Sequence, residues 1–339
     1  MLNARNAGRV ALMAVALGAG SGLAANAGMA TATADAHVGQ NIINVSVSAN
    51  GHTLVHAGTA TTDAQGPHSL AIAVGQGSQA TATGGAHNTA IAIGNGSTAS
   101  AVNGNNNTAI AHGRGATAYA GDGNNNSARA IGNGNSATAR GGERNSAVAR
   151  GTLSEADAGC SPYGGPCDAT SGSDNTATAK GYGSYAEATG GDRNTAYAKG
   201  NQAYATAGNG DDNTARTVGA SSEAIAITGN GNTADVQGDN NSGIFAGKGN
   251  GNTVIVKGND NGAYAANGDG NTSTVNGNNS NAGSGCVFGN ATCGNGNAAT
   301  VNGNNSTAYA GDGDLNVATV NGDNLDANAS GDGQTVVAP

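Results

Sequence analysis

Between residues 67 and 334 small apolar residues keep a two-residue rhythm that stops and restarts at regular intervals. The segment Asn88-Thr89-Ala90-Ile91-Ala92-Ile93-Gly94 shows the unit. With its Asn as position 0, positions +2 and +4 carry alanine in copy after copy: Ala90 and Ala92, Ala109 and Ala111, Ala128 and Ala130, Ala196 and Ala198. Positions +3 and +5 accept almost anything, including Arg129, Tyr197, Asp235, His112 and Lys180. Such alternation predicts a strand whose +2 and +4 side chains point inward. A second run at +10 to +14 repeats the rhythm with Ala99 and Ala101, Ala118 and Ala120, Ala205 and Ala207, Ala308 and Ala310. Each unit therefore reads strand, Gly turn, strand, Gly/Asn turn.

The copies begin at Asn88, Asn107, Asn126, Asn145, Asn175, Asn194, Asn213, Asn232, Asn252, Asn271, Asn297 and Asn316, mostly 19 residues apart. Six positions on, each has glycine: Gly94, Gly113, Gly132, Gly151, Gly181, Gly200 and so on to Gly322. A fixed period of this length marks units that bury their apolar side only against neighbours. The expected fold is all-β: a two-sheet parallel β-solenoid (β-roll or β-helix) of about thirteen coils, stacked at about 4.8 Å per rung, with an alanine-lined core. One buried methyl is worth less than about 1 kcal/mol, so hydrogen bonds between coils must contribute much of the stability. The recurring Gly is expected at positive φ or where turns crowd. The recurring Asn is expected to stack its side-chain amides into a ladder while tolerating a left-handed backbone.

The edges of the pattern divide the chain. Residues 35–66 read as an N-terminal cap: Ile43, Val45 and Val47 alternate with polar residues, and Asn50-Gly51 supplies a hairpin turn before Thr53. His68 to Gly75 is an irregular first copy, and residues 335–339 form a C-terminal tail. In later copies Val254, Val256, Val275, Val301 and Val320 replace inward alanines, which thickens the core. The copy at Asn232 departs in Gly243-Ile244-Phe245-Ala246, where a shift or bulge is expected. Two copies are longer: Cys160 and Cys167 fall between Asn145 and Asn175, Cys286 and Cys293 between Asn271 and Asn297. In an exported chain these read as two local disulfides pinching loops near 159–168 and 284–294. A shared four-thiolate zinc site is disfavoured by the coils between the pairs.

Composition fits this reading. Sixty glycines, no Trp, two Phe and 10% charged residues leave no ordinary globular core, while a strict period separates the chain from disordered sequence. Arg5 and Arg9 precede the apolar run Val10 to Leu17, so residues 1–34 read as a signal peptide cleaved after Ala27 or Ala34. The run is too short to span a bilayer, and no later stretch approaches it. The mature chain is expected to be secreted or held at the cell surface. Without Arg5 and Arg9, 11 basic residues face 22 acidic ones, which disfavours nucleic acid and anionic membranes as partners.

No catalytic constellation emerges, and neither an enzyme nor a cofactor is expected. His52, His56 and His68 read as cap histidines in preference to metal ligands. Gly121-Asp122-Gly123, Gly268-Asp269-Gly270 and Gly311-Asp312-Gly313 resemble turns of calcium-binding β-rolls, but most copies put Asn where Asp is needed. Position +1 is Thr or Ser from Thr89 to Thr272, the kind of rank an ice-binding solenoid uses. Arg129 and Arg216 at +3 interrupt a second rank beside it. On the other strand Tyr119, Tyr264 and Tyr309 at +12, and Tyr185 and Tyr204 at +10, are expected to face outward as a contact face for protein or glycan.

The units Asn88–Gly94 and Asn107–Gly113 resemble head repeats of YadA-like trimeric autotransporter adhesins, in which a small residue, an apolar-Ala-apolar strand and Gly recur in a β-roll. That resemblance implies a surface adhesin with a host or matrix protein or glycan as partner. The family's heads lead into a coiled-coil stalk and a membrane barrel. This sequence has no heptad run, so autotransport is unsupported and both monomer and trimer stay open. The expected function is a non-enzymatic, adhesin-like or structural extracellular protein, with ice binding as the alternative.

Overall fold

The computed structural model describes residues 44–160, 172–285 and 294–339. The expected signal peptide, His37, Cys167, Cys286 and Cys293 lie outside these residues. Every regular element described is a strand, and the strands form two sheets of 16 and 14 members. The chain enters through a hairpin, β1 (Val45–Ala49) and β2 (His52–Ala57), then runs through β3 (Thr61–Ala64) and β4 (Leu70–Val74). After β4 successive strands alternate between the sheets, so every coil contributes one strand to each. Pairings among β3 and later strands are all parallel, and homologous positions of neighbouring coils lie side by side: Ala90 beside Ala109, Ala99 beside Ala118. The result is a parallel β-solenoid with fourteen strands per wall beneath the cap. At about 4.8 Å per rung it is a rod roughly 65 Å long.

The count exceeds the expected thirteen because the pattern extends past both assigned edges. β3 lies within the stretch assigned to the cap, yet it pairs in parallel with Gln79–Ala82 as the first strand of the second sheet. The assigned tail is likewise a strand, Thr335–Ala338, in register with Val317–Val320. The cap proper is the hairpin. β1 lies antiparallel on β4 with β2 outside it as the terminal strand of the first sheet, and Ser46 and Ser48 each approach the Thr62 hydroxyl at 2.7 Å from the inner side.

The alternation sorts side chains as expected. Ala90, Ala92, Ala99, Ala101 and their counterparts are fully buried between the walls. In the C-terminal half Val236, Val254, Val256, Val275, Val301 and Val320 take their place, also fully buried. Where a polar residue enters the core it finds a partner: Thr217 donates to the Tyr204 carbonyl at 2.6 Å, and Ser273 donates to that of Tyr264 at 2.5 Å. The irregular copy keeps register despite its extra residue, with Ala226 beside Ala246 and Ile244 drawn into the core.

Candidate functional site

The repeated Asn sits at the corner where the chain enters the first sheet, and it is buried in every coil from Asn88 to Asn316. Its Oδ1 accepts from the backbone N–H of the next Asn along the rod: Asn107 to Asn88 at 3.0 Å, Asn126 to Asn107 at 3.0 Å, Asn145 to Asn126 at 2.9 Å. The series crosses the long insert unbroken, from Asn175 to Asn145 at 3.0 Å, and continues through Asn194 and Asn213. Meanwhile Nδ2 in most copies donates to a glycine carbonyl of the next coil, as from Asn88 to Gly104 at 2.7 Å. Asn316 instead donates to Gly311 just before it, and the buried Nδ2 of Asn297 has no partner among the described residues. The ladder is therefore side chain to backbone, not amide to amide. Stacked side-chain amides do occur, but on the exposed surface, where Asn276 donates to Asn302 at 2.9 Å and Asn302 to Asn321 at 3.0 Å.

The left-handed backbone falls one residue earlier than expected. His87, Asn106, Asn125, Arg144, Asp174, Arg193 and Asp212 have φ between 58° and 60°, whereas the ladder Asn beside each does not. This residue turns the chain at the corner, so the Asn can start the strand with its N–H along the rod. The turn glycines Gly94, Gly113, Gly132, Gly151, Gly181 and Gly200 have φ between 116° and 148°. Crowding adds to the constraint, because a Cβ on Gly94 would be driven into the Gly113 carbonyl.

A second buried polar rank, overlooked in the sequence, lines the opposite corner at +9. Ser97, Asn135, Ser154, Ser184, Ser222, Asn241, Asn261, Ser280 and Ser306 occupy it, interrupted by Ala116 and Ala203. Ser154 N–H donates to Asn135 Oδ1 at 2.9 Å, and Ser184 Oγ donates to the Gly200 carbonyl at 2.5 Å. Its signal was a small residue at constant offset, obscured by the change between Ser, Asn and Ala.

The tyrosines fall into separate groups on the second sheet. Tyr185 and Tyr204 stack, with centroids 5.1 Å apart and planes 10° from parallel. Tyr264 lies over Gly283, where a Cβ would come within 2.5 Å of its ring, and Tyr309 is on the next coil beyond that glycine. Tyr119 stands between Ser100 and Thr138, apart from the others. None projects freely. Tyr119 donates to Asp122 at 2.7 Å and Tyr185 to Glu187 at 3.0 Å. Burial first, then the neighbouring carboxylates, raises both phenol pKa values, and burial pushes that of Tyr264 up to about 12.

Beside Tyr185 lies an acidic group. Asp157 occupies an outward rank yet is 1% exposed, and neither carboxylate oxygen has a hydrogen-bond partner. Burial, then Glu155 and Glu187, pushes its pKa up to about 7. On the first sheet the Thr/Ser rank runs in register from Thr89 to Thr272, ending beside Ala298. His68 stacks on His87 with centroids 4.6 Å apart. Among the described residues no three His, Cys, Asp or Glu side chains converge to hold a metal ion, and no helix is long and apolar enough to cross a membrane. Nor is any described cysteine, Cys160 included, a free thiol.

No family model, curated protein or solved structure matches this chain.

Proposed function

We propose that this chain is a secreted, non-enzymatic repeat protein that presents rigid solenoid faces for adhesion or as part of an extracellular structure. One observation carries the reading. Coil after coil keeps the same kind of interior, Ala or Val with buried Asn, while the outward ranks other than the Thr/Ser rank vary around a common frame. Side chains held at fixed rung spacing on a stiff wall lose little further freedom on binding, which favours recognition of an extended partner. The resemblance to YadA-like heads agrees with this reading. Two local disulfides, Cys160–Cys167 and Cys286–Cys293, would brace the inserted loops outside the cytosol.

The test is a screen of matrix proteins and glycans, with Tyr185→Ala/Tyr204→Ala as the control for the stacked pair. Specific binding that this double variant weakens supports a contact face on the second sheet; absence of any binding counts against adhesion. Ice binding is the second reading, favoured by the in-register Thr/Ser rank. Against it stand Arg129, Tyr197, Arg216 and Asp235 in the adjacent rank of the same wall. Measurable thermal hysteresis would move the assignment to ice.

A further inference from the structure

The chain is acidic overall, yet its charge divides between the two walls. Over five consecutive coils, from the strand Ser127–Asn133 to the strand Thr214–Val218, the outward positions of the first sheet include Arg129, Arg150, Lys180, Lys199 and Arg216 and no acid. Three of these cations share one rank. Arg150 lies beside Lys180, and Lys180 beside Lys199, on successive rungs about 4.8 Å apart. Over the same coils the second sheet turns Glu155, Asp157, Glu187 and Glu223 outward, with Arg140.

Like charges in register on adjacent strands destabilise a sheet. This molecule relieves such contacts elsewhere: Arg144 is paired with Asp174, Arg193 with Asp212 and Arg216 with Asp235, each at 2.7 Å. No ion pair among the described residues engages Arg129, Arg150, Lys180 or Lys199. The rank has an aromatic neighbour as well, since Lys180 Nζ lies 5.0 Å from the Tyr197 ring centroid. A row of unpaired cations on a stiff wall, flanked by an aromatic ring and hydroxyls, suits a linear partner with an acidic group on successive units.

We propose that the rank Arg150–Lys180–Lys199, with Arg129 beside it, is a binding strip for a linear acidic polysaccharide. The polymer's sulfates or carboxylates lie along the rank while its ring faces and hydroxyls meet Tyr197 and the neighbouring threonines. The proposal rests on the surface-binding reading above and gives it a ligand class. It also moves the principal contact from the tyrosines of the second sheet to the cations of the first. The fixed spacing favours a stiff polymer, and the net negative charge of the rest of the molecule repels polyanions that miss the strip.

The test is equilibrium binding of the full chain to dextran sulfate and to polygalacturonate, with neutral dextran and duplex DNA as comparators, at low and physiological salt. At least one acidic polysaccharide should bind, more weakly as salt rises, while neutral dextran does not. Arg150→Gln/Lys180→Gln/Lys199→Gln should weaken that binding at least tenfold and leave the melting temperature unchanged or higher, because it removes repulsion. Lys248→Gln, at an exposed turn after the second-sheet strand Phe245–Gly247 and off that rank, should stay within twofold of the parent. The proposal is overturned if neither acidic polysaccharide binds, if the triple variant binds like the parent, or if the Lys248 variant costs as much. DNA binding as tight as that of the polysaccharides would assign the strip to nucleic acid instead. Reversible self-association at low salt, abolished by the triple variant, would assign it to the acidic wall of a second copy. If the parent binds a neutral glycan or matrix protein but no polyanion, the strip fails and the adhesive reading stands.

Discussion

The two corners of each coil do the same mechanical work with different strictness. At the first corner Asn recurs from Asn88 to Asn316 without exception, whereas the second accepts Ser, Asn, Ala and finally Leu325. The coil at Asn175 shows why. Asn175 accepts from the Asn194 N–H at 2.9 Å and donates to the Gly191 carbonyl at 2.7 Å, so one side chain satisfies two buried backbone groups of the next coil. At the opposite corner Ser184 only donates, to the Gly200 and Lys180 carbonyls, and the next rung there is Ala203. A hydroxyl can fill both roles at the second corner, since Ser222 donates to the Gly238 carbonyl at 2.7 Å and accepts from the Asn241 N–H at 3.1 Å. Ala116 and Ala203 show that this corner also survives with neither role filled, whereas every copy from Asn88 to Asn316 keeps the amide at the first.

Substitutions in that one coil sharpen the contrast. Asn175→Ala leaves the Asn194 N–H and the Gly191 carbonyl unpaired in a buried corner and should cost about 3 kcal/mol in urea unfolding. Ser184→Ala should cost about 1 kcal/mol. Equal losses would erase the distinction drawn between the corners.

Between these in size stands Asp157, which tests whether a wall tolerates what a corner does not. Its folded pKa, about 7, lies above the ordinary carboxylate value. The folded chain therefore keeps this proton to higher pH than the unfolded chain does. Stability contributed by the protonated acid is full below about pH 4, falls as pH rises toward 7, and stays lost above that. Asp157→Asn should accordingly raise stability by on the order of 2 kcal/mol at pH 8 and change little at pH 4. Thermal melts across that range give the answer; equal effects at both pH values would show that the buried charge is not the cause.

The smallest effect concerns the left-handed corner residue. Leu315 holds φ 59° with its side chain 68% exposed, where four preceding coils use Gly231, Gly251, Gly270 and Gly296. Relief of left-handed strain should outweigh the added freedom of the unfolded chain, so Leu315→Gly should stabilise by about 0.5 kcal/mol. A loss of stability would place the strain elsewhere.

Much of the architecture was legible because its periods are rigid. Alanines two residues apart could face only one way once Arg129, Tyr197 and Lys180 occupied the alternate positions, and the 19-residue spacing aligned the coils. The corner bonding was not legible, because an amide's partner depends on the backbone direction at the turn. Left-handed geometry consequently belongs to residues as different as His87, Arg144 and Asp212. Asp157 looked like any outward acid, since burial of an outward rank is a property of the folded molecule and not of spacing. The cationic rank was hidden for another reason. Arg150 and Lys180 are 30 residues apart, across the long insert, and become neighbours only when the coils are stacked. The tyrosines alternate with buried alanines along their strands, and stacking, glycine gaps and carboxylates hold them down on the wall.

A buried row of asparagine side chains fastens each coil to the next. Native-state hydrogen exchange at the backbone amides of Asn107, Asn126, Asn194 and Asn213 reads that fastening rung by rung. These amides should exchange only as slowly as the protein unfolds, matching the alanine amides of the sheets although they lie at turns. Exchange as fast as at the exposed turn amides would contradict it, leaving the coils joined by their sheets alone.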